Sequence, residues 1–344
     1  MARTSTSESD GQQVDGGRRR AGIGGKGDSR RRVDYRPTGT DTRTSGFVTL
    51  KRTVKEFSED GGTDWAAALT YYALLALFPA ITALISLVGL VADPKTTTEK
   101  LTEIVGSFAP AAQQTLAGPI QQLTANRSGA GLALVLGLAG ALFSASGYVG
   151  AFTRASNVIY ETPEGRPVWK LRPLQVLVTL IVVLLTAVLA LSLVLTGPVV
   201  DKVAGPLGVG GAAVTAWNIG KWPVMAALVL VMVGVLYYAT PNVRLRGLRF
   251  VLPGALFAIV IWLVASVAFA FYVANFGSYN KTYGTLGGVV GFLVWVWITN
   301  IALLLGAELT AERERTLELK EGVTGADREI QLEPRSEPKD RATT

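Results

Sequence analysis

Long apolar runs separated by short polar segments dominate positions 65 to 305 of the chain. About 20 apolar residues in a helix suffice to cross the hydrocarbon core of a bilayer, and each run approaches or exceeds that length. The pattern predicts an all-α integral membrane protein with six transmembrane helices, at about 65–91, 131–152, 174–199, 222–239, 251–271 and 286–305. Pro79 lies within the first run, where its missing N–H predicts a kink. Gly284, Gly287, Gly288 and Gly291 are spaced to allow close helix contact in the last run.

Two other segments have the amphipathic spacing of surface helices. Phe47, Leu50, Val54 and Phe57 recur every three or four residues, which predicts a helix along the inner membrane surface before the first span. Residues 96–126 repeat this spacing around two prolines. They predict two amphipathic helices in the first outer loop.

Both ends of the chain lack apolar periodicity. Residues 1–46 are rich in Gly, Ser, Thr, Asp and Arg and predict a disordered basic tail. Residues 316–344 predict a disordered cytoplasmic tail, which leaves 47–315 as the membrane domain. The arginine triplets at 18–20 and 30–32 either help to hold the N-terminus in the cytoplasm or contact anionic lipid headgroups. Interspersed acidic residues dilute the charge and favour the first interpretation.

The basic residues indicate how the chain is oriented. Lys and Arg concentrate in the short cytoplasmic loops of membrane proteins. If both termini are cytoplasmic, every short inner loop is basic, and the outer segments hold only six of the 33 basic residues: Lys95, Lys100, Arg127, Lys202, Lys221 and Lys281. The sequence therefore predicts that both termini are cytoplasmic.

The composition excludes several kinds of chemistry. Charged residues make up 17% of the chain, against about 25% in soluble domains. Cys and His are absent, which excludes disulfides, thiol nucleophiles, thiolate metal sites and serine–histidine catalysis. A carboxylate-only magnesium site would need clustered acids, which are scarce in the apolar part. We therefore expect no metal, no cofactor and no enzymatic activity. The net charge of +7 follows the topology rather than a binding face, so we expect no specific nucleic-acid partner.

Several local motifs together resemble those of one family. They are Ala66-Ala-Ala-Leu-Thr-Tyr71-Tyr72 with Leu77-Phe78-Pro79, Asn157-Val-Ile-Tyr160, Tyr237-Tyr238-Ala-Thr-Pro241-Asn242, Pro253-Gly254-Ala, Tyr283-Gly284-Thr-Leu-Gly287 and Leu305-Gly306-Ala-Glu308-Leu. The chain resembles the YihY/BrkB family over roughly residues 47–315; some members once carried the label ribonuclease BN. One departure is Ala76, where members usually have Ser. The resemblance implies a six-span bacterial inner-membrane protein and names no substrate.

The second predicted span carries polar residues along one helical face. Arg154, Asn157 and Glu161 follow one another at intervals of three or four residues at its cytoplasmic end. Charged groups near a bilayer rarely face lipid and usually pair. Asp64, the predicted N-cap of the first span, and Glu308, after the sixth, should lie at the same depth. We therefore predict an inner-leaflet polar cluster of Asp64, Arg154, Asn157, Glu161, Asn242 and Glu308, with Arg244 at its edge. The alternative is that these residues only cap helices and reach the interface.

These features favour three functions to different degrees. The six spans, the proline-containing helix and the polar cluster are compatible with transport of a lipid-like or amphipathic molecule. The alternative is a non-transporting scaffold for envelope proteins. A ribonuclease would need clustered metal-binding carboxylates or arranged Lys and Arg residues, which the sequence does not indicate. We expect a multi-pass protein of the bacterial plasma membrane that contacts membrane lipids, with a second copy or envelope proteins as further candidate partners.

Overall fold

The structure, a computed structural model, describes residues 45–91, 127–194, 211–275 and 285–338. This part of the chain contains seven helices and no β-strand: α1 Gly46–Glu59, α2 Gly62–Val91, α3 Arg127–Ile159, α4 Val168–Val194, α5 Gly211–Ala239, α6 Leu248–Asn275 and α7 Thr285–Glu321. One isolated antiparallel bridge joins Val243 and Pro334. The predicted helical class is confirmed for these residues, whereas the predicted amphipathic pair at 96–126 lies outside them.

Four of the described helices contain segments long and apolar enough to cross a bilayer. These segments are Val168–Leu189 in α4, Val214–Ala239 in α5, Leu248–Asn275 in α6 and Gly287–Glu321 in α7. They coincide with the third to sixth predicted spans. The first and second predicted spans fall on α2 and α3, so the total of six spans stays a prediction, as does the cytoplasmic location of both termini. Helix α2 continues through position 79, and its kink at Pro79 also stays a prediction.

The six long helices form a ring in chain order. Each helix from α2 to α6 packs against the next one, and α7 packs against both α6 and α2, which closes the ring. Helix α7 also contacts α3. Small side chains line these contacts, including the buried residues Ala66, Ala151, Ala155, Ala255 and Ala258. Small residues let helix backbones approach closely, and close packing is what drives helix association inside lipid.

The tightest contact between two helices joins α6 and α7. A Cβ atom added to Gly254 would overlap the Thr310 hydroxyl and the Gly306 carbonyl, and one added to Gly306 would overlap the Gly254 carbonyl. In contrast, no described atom lies within 4 Å of a Cβ added to Gly288 or Gly291. The close contact predicted for those two positions therefore has no support among the described residues and stays a prediction. The two backbones approach at the other end of α7, where glycines from both helices face each other.

Helix α1 is amphipathic, but its apolar residues divide between two faces. Phe57 and two threonines form the buried face, and the helix packs against α7. The Phe57 ring lies against Gly62 at the start of α2, where a Cβ atom would overlap it. Phe47, Leu50 and Val54 are exposed on the side of the helix next to this buried face. Phe57 thus does not share a surface with the other three, although the sequence spacing grouped them. The position of α1 along the membrane stays a prediction.

The C-terminal segment differs from its prediction. Helix α7 continues to Glu321, and the chain beyond it packs back on the bundle as far as the structure describes it, to residue 338. Gln331 N donates to both carboxylate oxygens of Glu318, and Arg244 N donates to the Glu333 carbonyl at 2.9 Å. The prediction of a disordered tail is therefore wrong for residues 316–338. These partners are distant in sequence, so apolar periodicity could not reveal them.

Candidate functional site

Polar and charged residues concentrate at one end of the bundle. We call it the inner end: α3 and α5 end there, α4 and α6 begin there, and the predicted topology places it toward the cytoplasm. Helix α7 has 37 residues and is about 55 Å long, whereas a bilayer core is about 30 Å thick. Its last turns, from Glu308 onward, carry most of its charged side chains.

A chain of polar contacts joins three helices along their apolar stretches. The Tyr148 hydroxyl donates to Asn300 Oδ1 at 2.8 Å, and Asn300 Nδ2 donates to the Thr70 hydroxyl at 3.1 Å. These residues belong to α3, α7 and α2, and Asn300 is buried. Polar side chains are costly inside a bilayer, where they typically face the bundle interior and mark substrate or ion pathways.

Two asparagines join the inner ends of α3 and α5. Asn157 Oδ1 accepts a hydrogen bond from Asn242 N at 2.8 Å. The side chain of Asn242, which is fully buried, donates to the carbonyls of Pro163 and Ser336 and accepts from Ser336 N. We call residues 330–336 the C-terminal strap. Asn242 thus ties the loop after α3, the loop after α5 and the strap together.

The loop after α3 is also held by a carboxylate. Glu164 accepts two hydrogen bonds from the Arg166 guanidinium and one from Asn157 Nδ2 at 2.9 Å. Burial alone would raise the pKa of Glu164, but these donors stabilise the charged form and lower its pKa below the ordinary value. Arg166 also donates to the Thr240 carbonyl at 2.7 Å, which links this loop to the end of α5.

Arg315 on α7 is the centre of an ion-pair network. Its guanidinium lies 2.8 Å from Glu161, 3.1 Å from Glu312 and 3.4 Å from Glu56. Glu161 adopts a positive φ of 49°, a strained conformation for a residue other than glycine, and also accepts a hydrogen bond from Ile330 N. Arg315 and Glu161 thereby hold α1, α3, α7 and the strap together.

Two further arginines neutralise buried carboxylates of α7. Arg52 of α1 pairs with Glu312 at 2.8 Å. Arg246, from the loop before α6, pairs with Glu314 at 2.6 Å and with Glu321 at 2.7 Å. Because Glu312 and Glu314 are almost completely buried, each needs such a partner to remain ionised.

Two buried carboxylates, Glu308 and Glu318, have no such pairing among the described residues, and Glu318 accepts hydrogen bonds from Gln331 N instead. Glu308 is 2% exposed, and its Oε2 atom has no hydrogen-bond partner there. The buried Tyr160 hydroxyl also has none. The charge of Asp60, in the turn between α1 and α2, acts on Glu308. Burial, followed by the charges of Glu56 and Glu161, raises the pKa of Asp60 to about 6.

The structure brings together only part of the predicted polar cluster. Asn157 and Asn242 are in direct contact, while Glu161 contacts Arg315 instead of a predicted member. Arg154 is exposed, and its guanidinium lies over the Tyr72 ring at 5.7 Å from the centroid. The described ion pairs include none between Arg154 and Glu308, and the Arg154 guanidinium donates to the Tyr72 hydroxyl at 3.4 Å.

Asp64, a predicted member of the cluster, and Arg244, predicted at its edge, have other positions. Asp64 is exposed in the first turn of α2, which begins at Gly62, so it is not the N-cap residue. Its carboxylate still suits the positive end of the helix dipole. Arg244 forms an exposed pair with Glu333 of the strap at 3.2 Å.

Sequence reasoning missed the cations and the strap that organise the inner end. Arg315 was assigned to the edge of the membrane domain, and Ser336 to a disordered tail. One signal was available: Glu308, Glu312 and Arg315 recur at intervals of four and three, which places them on one face of α7. Their partners lie in α1 and in the loop after α3, and no local pattern connects those segments. Among the described residues, no group of three or more acidic side chains is arranged to hold a metal ion.

The apolar helices, their ring arrangement and the charged inner end define an α-helical integral membrane protein. The family model described as Virulence factor BrkB matches residues 53–329. The chain therefore belongs to the BrkB family, and this confirms the resemblance found in its motifs.

Curated relatives of the chain carry membrane-protein or ribonuclease-like names. YfkH of Bacillus subtilis (strain 168), named as ribonuclease-like, is 32% identical over 76% of this chain and 94% of its own length. A UPF0761 membrane protein of Aliivibrio salmonicida is 29% identical over 78% of this chain and 82% of its own. A UPF0761 membrane protein of Alkalilimnicola ehrlichii is 27% identical over 74% of this chain and 56% of its own length. No solved structure matches the chain.

Proposed function

We propose that this chain moves a lipid-like or amphipathic molecule across the bacterial plasma membrane along a path between α2, α3 and α7. The observation that supports the proposal is the series of buried polar groups at the α3–α7 contact. It begins with Tyr148 and Asn300 and continues toward the inner end with Tyr160 and Glu308. An amphipathic molecule needs polar groups for its head along such a path, while its apolar part stays in lipid.

The outer surface of the helix ring fits the apolar half of such a molecule. Leu184 on α4, Val267 and Phe271 on α6 and Val290 on α7 are exposed and apolar. Such exposed apolar side chains suit contact with the acyl chains of lipids. The polar groups lie between helices and the apolar ones outside, so a headgroup and its acyl chains would meet different surfaces of the same bundle.

A proteoliposome assay tests this proposal directly. Fluorescent lipid analogues are followed across the bilayer with wild-type protein, Asn300→Ala and the control Thr186→Val. Thr186 is exposed on α4, and its hydroxyl donates to the Val182 carbonyl of the same helix and to Met232 Sδ of α5, so its loss affects no helix of the proposed path. We expect movement with wild type and Thr186→Val and at least a tenfold loss with Asn300→Ala, which corresponds to about 1.4 kcal/mol in the barrier. Equal rates for all three folded proteins would refute the path.

The alternative proposal is a non-transporting scaffold for envelope proteins. The exposed apolar side chains of Phe47, Leu50 and Val54 on α1 favour it, because they lie beside a charged surface rather than on the long helices. A second copy or an envelope protein could cover them. Absence of movement for every lipid class tested would shift the balance to this proposal, and cross-linking at Val54 in cells would then identify the covering chain.

We also propose that the chain is not a nuclease, although one relative bears a ribonuclease-like name. The carboxylates of Glu312, Glu314 and Glu161 are taken up in ion pairs with Arg52, Arg246 and Arg315. Detergent-purified protein should leave RNA intact with and without Mg²⁺. Metal-dependent cleavage that is lost in Glu308→Gln would overturn this proposal.

We further propose that both termini face the cytoplasm of a bacterial cell. The basic residues at the inner end of the bundle, including Arg172 and Arg249, support this orientation. Fusions of alkaline phosphatase, which is active only outside the cytoplasm, should be inactive at either terminus. Active fusions at both would invert the orientation.

A further inference from the structure

Glu308 differs from the other buried carboxylates at the inner end. Glu312 pairs with two arginines, Glu314 pairs with one, and Glu318 accepts hydrogen bonds from Gln331 N on both of its carboxylate oxygens. Glu308 takes part in none of the ion pairs that the structure describes, and its Oε2 atom is without a described hydrogen-bond partner. Removing an ionised carboxylate from water without a partner costs several kcal/mol, and such groups generally become neutral instead.

The surroundings of Glu308 have a surplus of negative charge. The residues concerned come from α1 and the turn after it, from the end of α3 and the residues that follow, and from α7. We call this set the acidic cluster: Glu56, Asp60, Tyr160, Glu161, Glu308 and Glu312. Three cations pair with its five carboxylates among the described residues: Arg52, Arg315, which three of them share, and the exposed Lys55, which Glu56 shares with Glu59. On α5, the hydroxyl of Tyr237 is committed to the Leu303 carbonyl. The cluster is therefore not neutralised by the side chains around it.

Tyr160 is a second, independent sign of an incomplete site. Its hydroxyl is buried, with the residue 3% exposed, and it has no hydrogen-bond partner in the described part of the chain. Burial first, and then the negative charges of Glu314 and Glu308, raise the pKa of Tyr160, so the hydroxyl lies within the field of those carboxylates. A buried hydroxyl without a partner is destabilising, and a group added to the site could satisfy it.

Asp60 connects the acidic cluster to water. It is only half-buried, and its pKa of about 6 lies close to physiological pH. Its charge acts on Glu308 more strongly than that of any other residue. A carboxyl that exchanges protons with solvent near neutral pH, next to a buried carboxyl without a cationic partner, is the arrangement that a proton relay requires.

We propose that the acidic cluster is a proton-binding site, in which Glu308 holds the proton and Asp60 exchanges it with water. A proton needs one carboxylate, whereas a metal ion needs several oxygen ligands, and no suitable group of acidic residues occurs in the described part of the chain. Glu308 lies eight residues along α7 from Asn300, about 12 Å toward the inner end. Its protonation would change the field at the inner end of the transport path, so the proton would drive transport. This coupling rests on the proposed function; the binding site itself does not.

Infrared difference spectroscopy of the full-length protein in detergent tests the site without transport. A protonated carboxyl group has a C=O stretching band that is distinct from that of a carboxylate. We expect this band at neutral pH in wild type and its loss in Glu308→Gln, which keeps the shape of the side chain and removes the titrating group. Glu333→Gln is the control, since Glu333 is exposed in the strap. Asp60→Asn should move the midpoint of the band to lower pH, because one negative neighbour is lost.

The outcomes separate the two proposals. A band that persists unchanged in folded Glu308→Gln, or no band at neutral pH in wild type, would overturn the proton site. If Glu308→Gln does not fold, Tyr160→Phe replaces it: this variant should shift the midpoint while keeping the band, and an unchanged midpoint would count against the site. If the band is present but no lipid moves in proteoliposomes, the proton site stands and the proposed transport function is refuted. If the band is present and lipid moves at a rate that does not depend on a pH gradient, only the coupling between the proton and transport is refuted.

Discussion

The junction at Asn242 offers the sharpest test of how the inner end is held together. Its side chain forms three hydrogen bonds: to the Pro163 carbonyl at 2.9 Å, to the Ser336 carbonyl at 2.8 Å and from Ser336 N at 3.2 Å. Each hydrogen bond contributes about 1 kcal/mol net, and Asn242→Ala would leave its three partners without this side chain. We therefore expect a loss of about 3 kcal/mol in the free energy of unfolding.

A truncated chain shows how much of this loss in the free energy of unfolding comes from the hydrogen bonds to Ser336 and how much from the bond to Pro163. In a protein that ends at Arg335, Ser336 is absent, and Asn242→Ala removes only the bond to Pro163. The same substitution should then cost about 1 kcal/mol rather than about 3. Asn275→Ala is the matched control, because Asn275 is exposed and bonds only within its own helix. We expect a change below about 0.5 kcal/mol for it.

Unfolding in mixed detergent micelles, followed by tryptophan fluorescence, measures all of these values. Limited proteolysis adds a local readout, since Asn242→Ala should expose the strap to cleavage before the bundle unfolds. An equal loss in the full-length and the truncated chain would show that Asn242 does not hold the strap. A loss as small as that of Asn275→Ala would refute the reasoning from burial and hydrogen bonding.

Three other predictions use the same unfolding measurement. Gly306→Ala should cost about 1–3 kcal/mol by forcing α6 and α7 apart, whereas Gly291→Ala should be neutral or slightly stabilising; equal effects would refute the contact. Arg246→Ala should cost about 3 kcal/mol because it leaves the buried Glu314 carboxylate unpaired. Arg244→Ala breaks an exposed pair and should cost less than about 0.5 kcal/mol. Reversed magnitudes would contradict the view that the Arg246 pair is the one that matters for stability. The folded state raises the pKa of Asp60 from 3.8 to about 6, so it binds the proton more tightly than the unfolded chain, and stability falls as pH rises between these values. Above pH 6, Asp60→Asn should therefore be more stable than wild type by about 1 kcal/mol, after allowance for solvent screening. Below about pH 4, the two proteins should be equally stable. A gain in stability at low pH would refute the predicted direction of the pH dependence.

The position of Arg154 shows why sequence spacing alone could not define the site. Arg154 and Asn157 share a face of α3, whereas Glu161, which the sequence spacing grouped with them, lies beyond the end of the helix at Ile159 and has a positive φ. Periodicity does not specify which residue of another helix lies opposite. Arg154 contacts the ring of Tyr72, and Glu161 contacts Arg315, a residue that the sequence offered no reason to select.

The sequence by itself determined the helical class, the membrane character and the family. Apolar runs must enter lipid and their backbones must bond internally, so length and hydropathy suffice for these features. Only the tertiary structure decided that Gly254 meets Gly306, that the strap binds Asn242 and that Glu308 Oε2 has no hydrogen-bond partner among the described residues. Such pairings depend on distance and burial between segments far apart in the chain. Their energies arise from desolvation at the contact, which no local pattern of residues records.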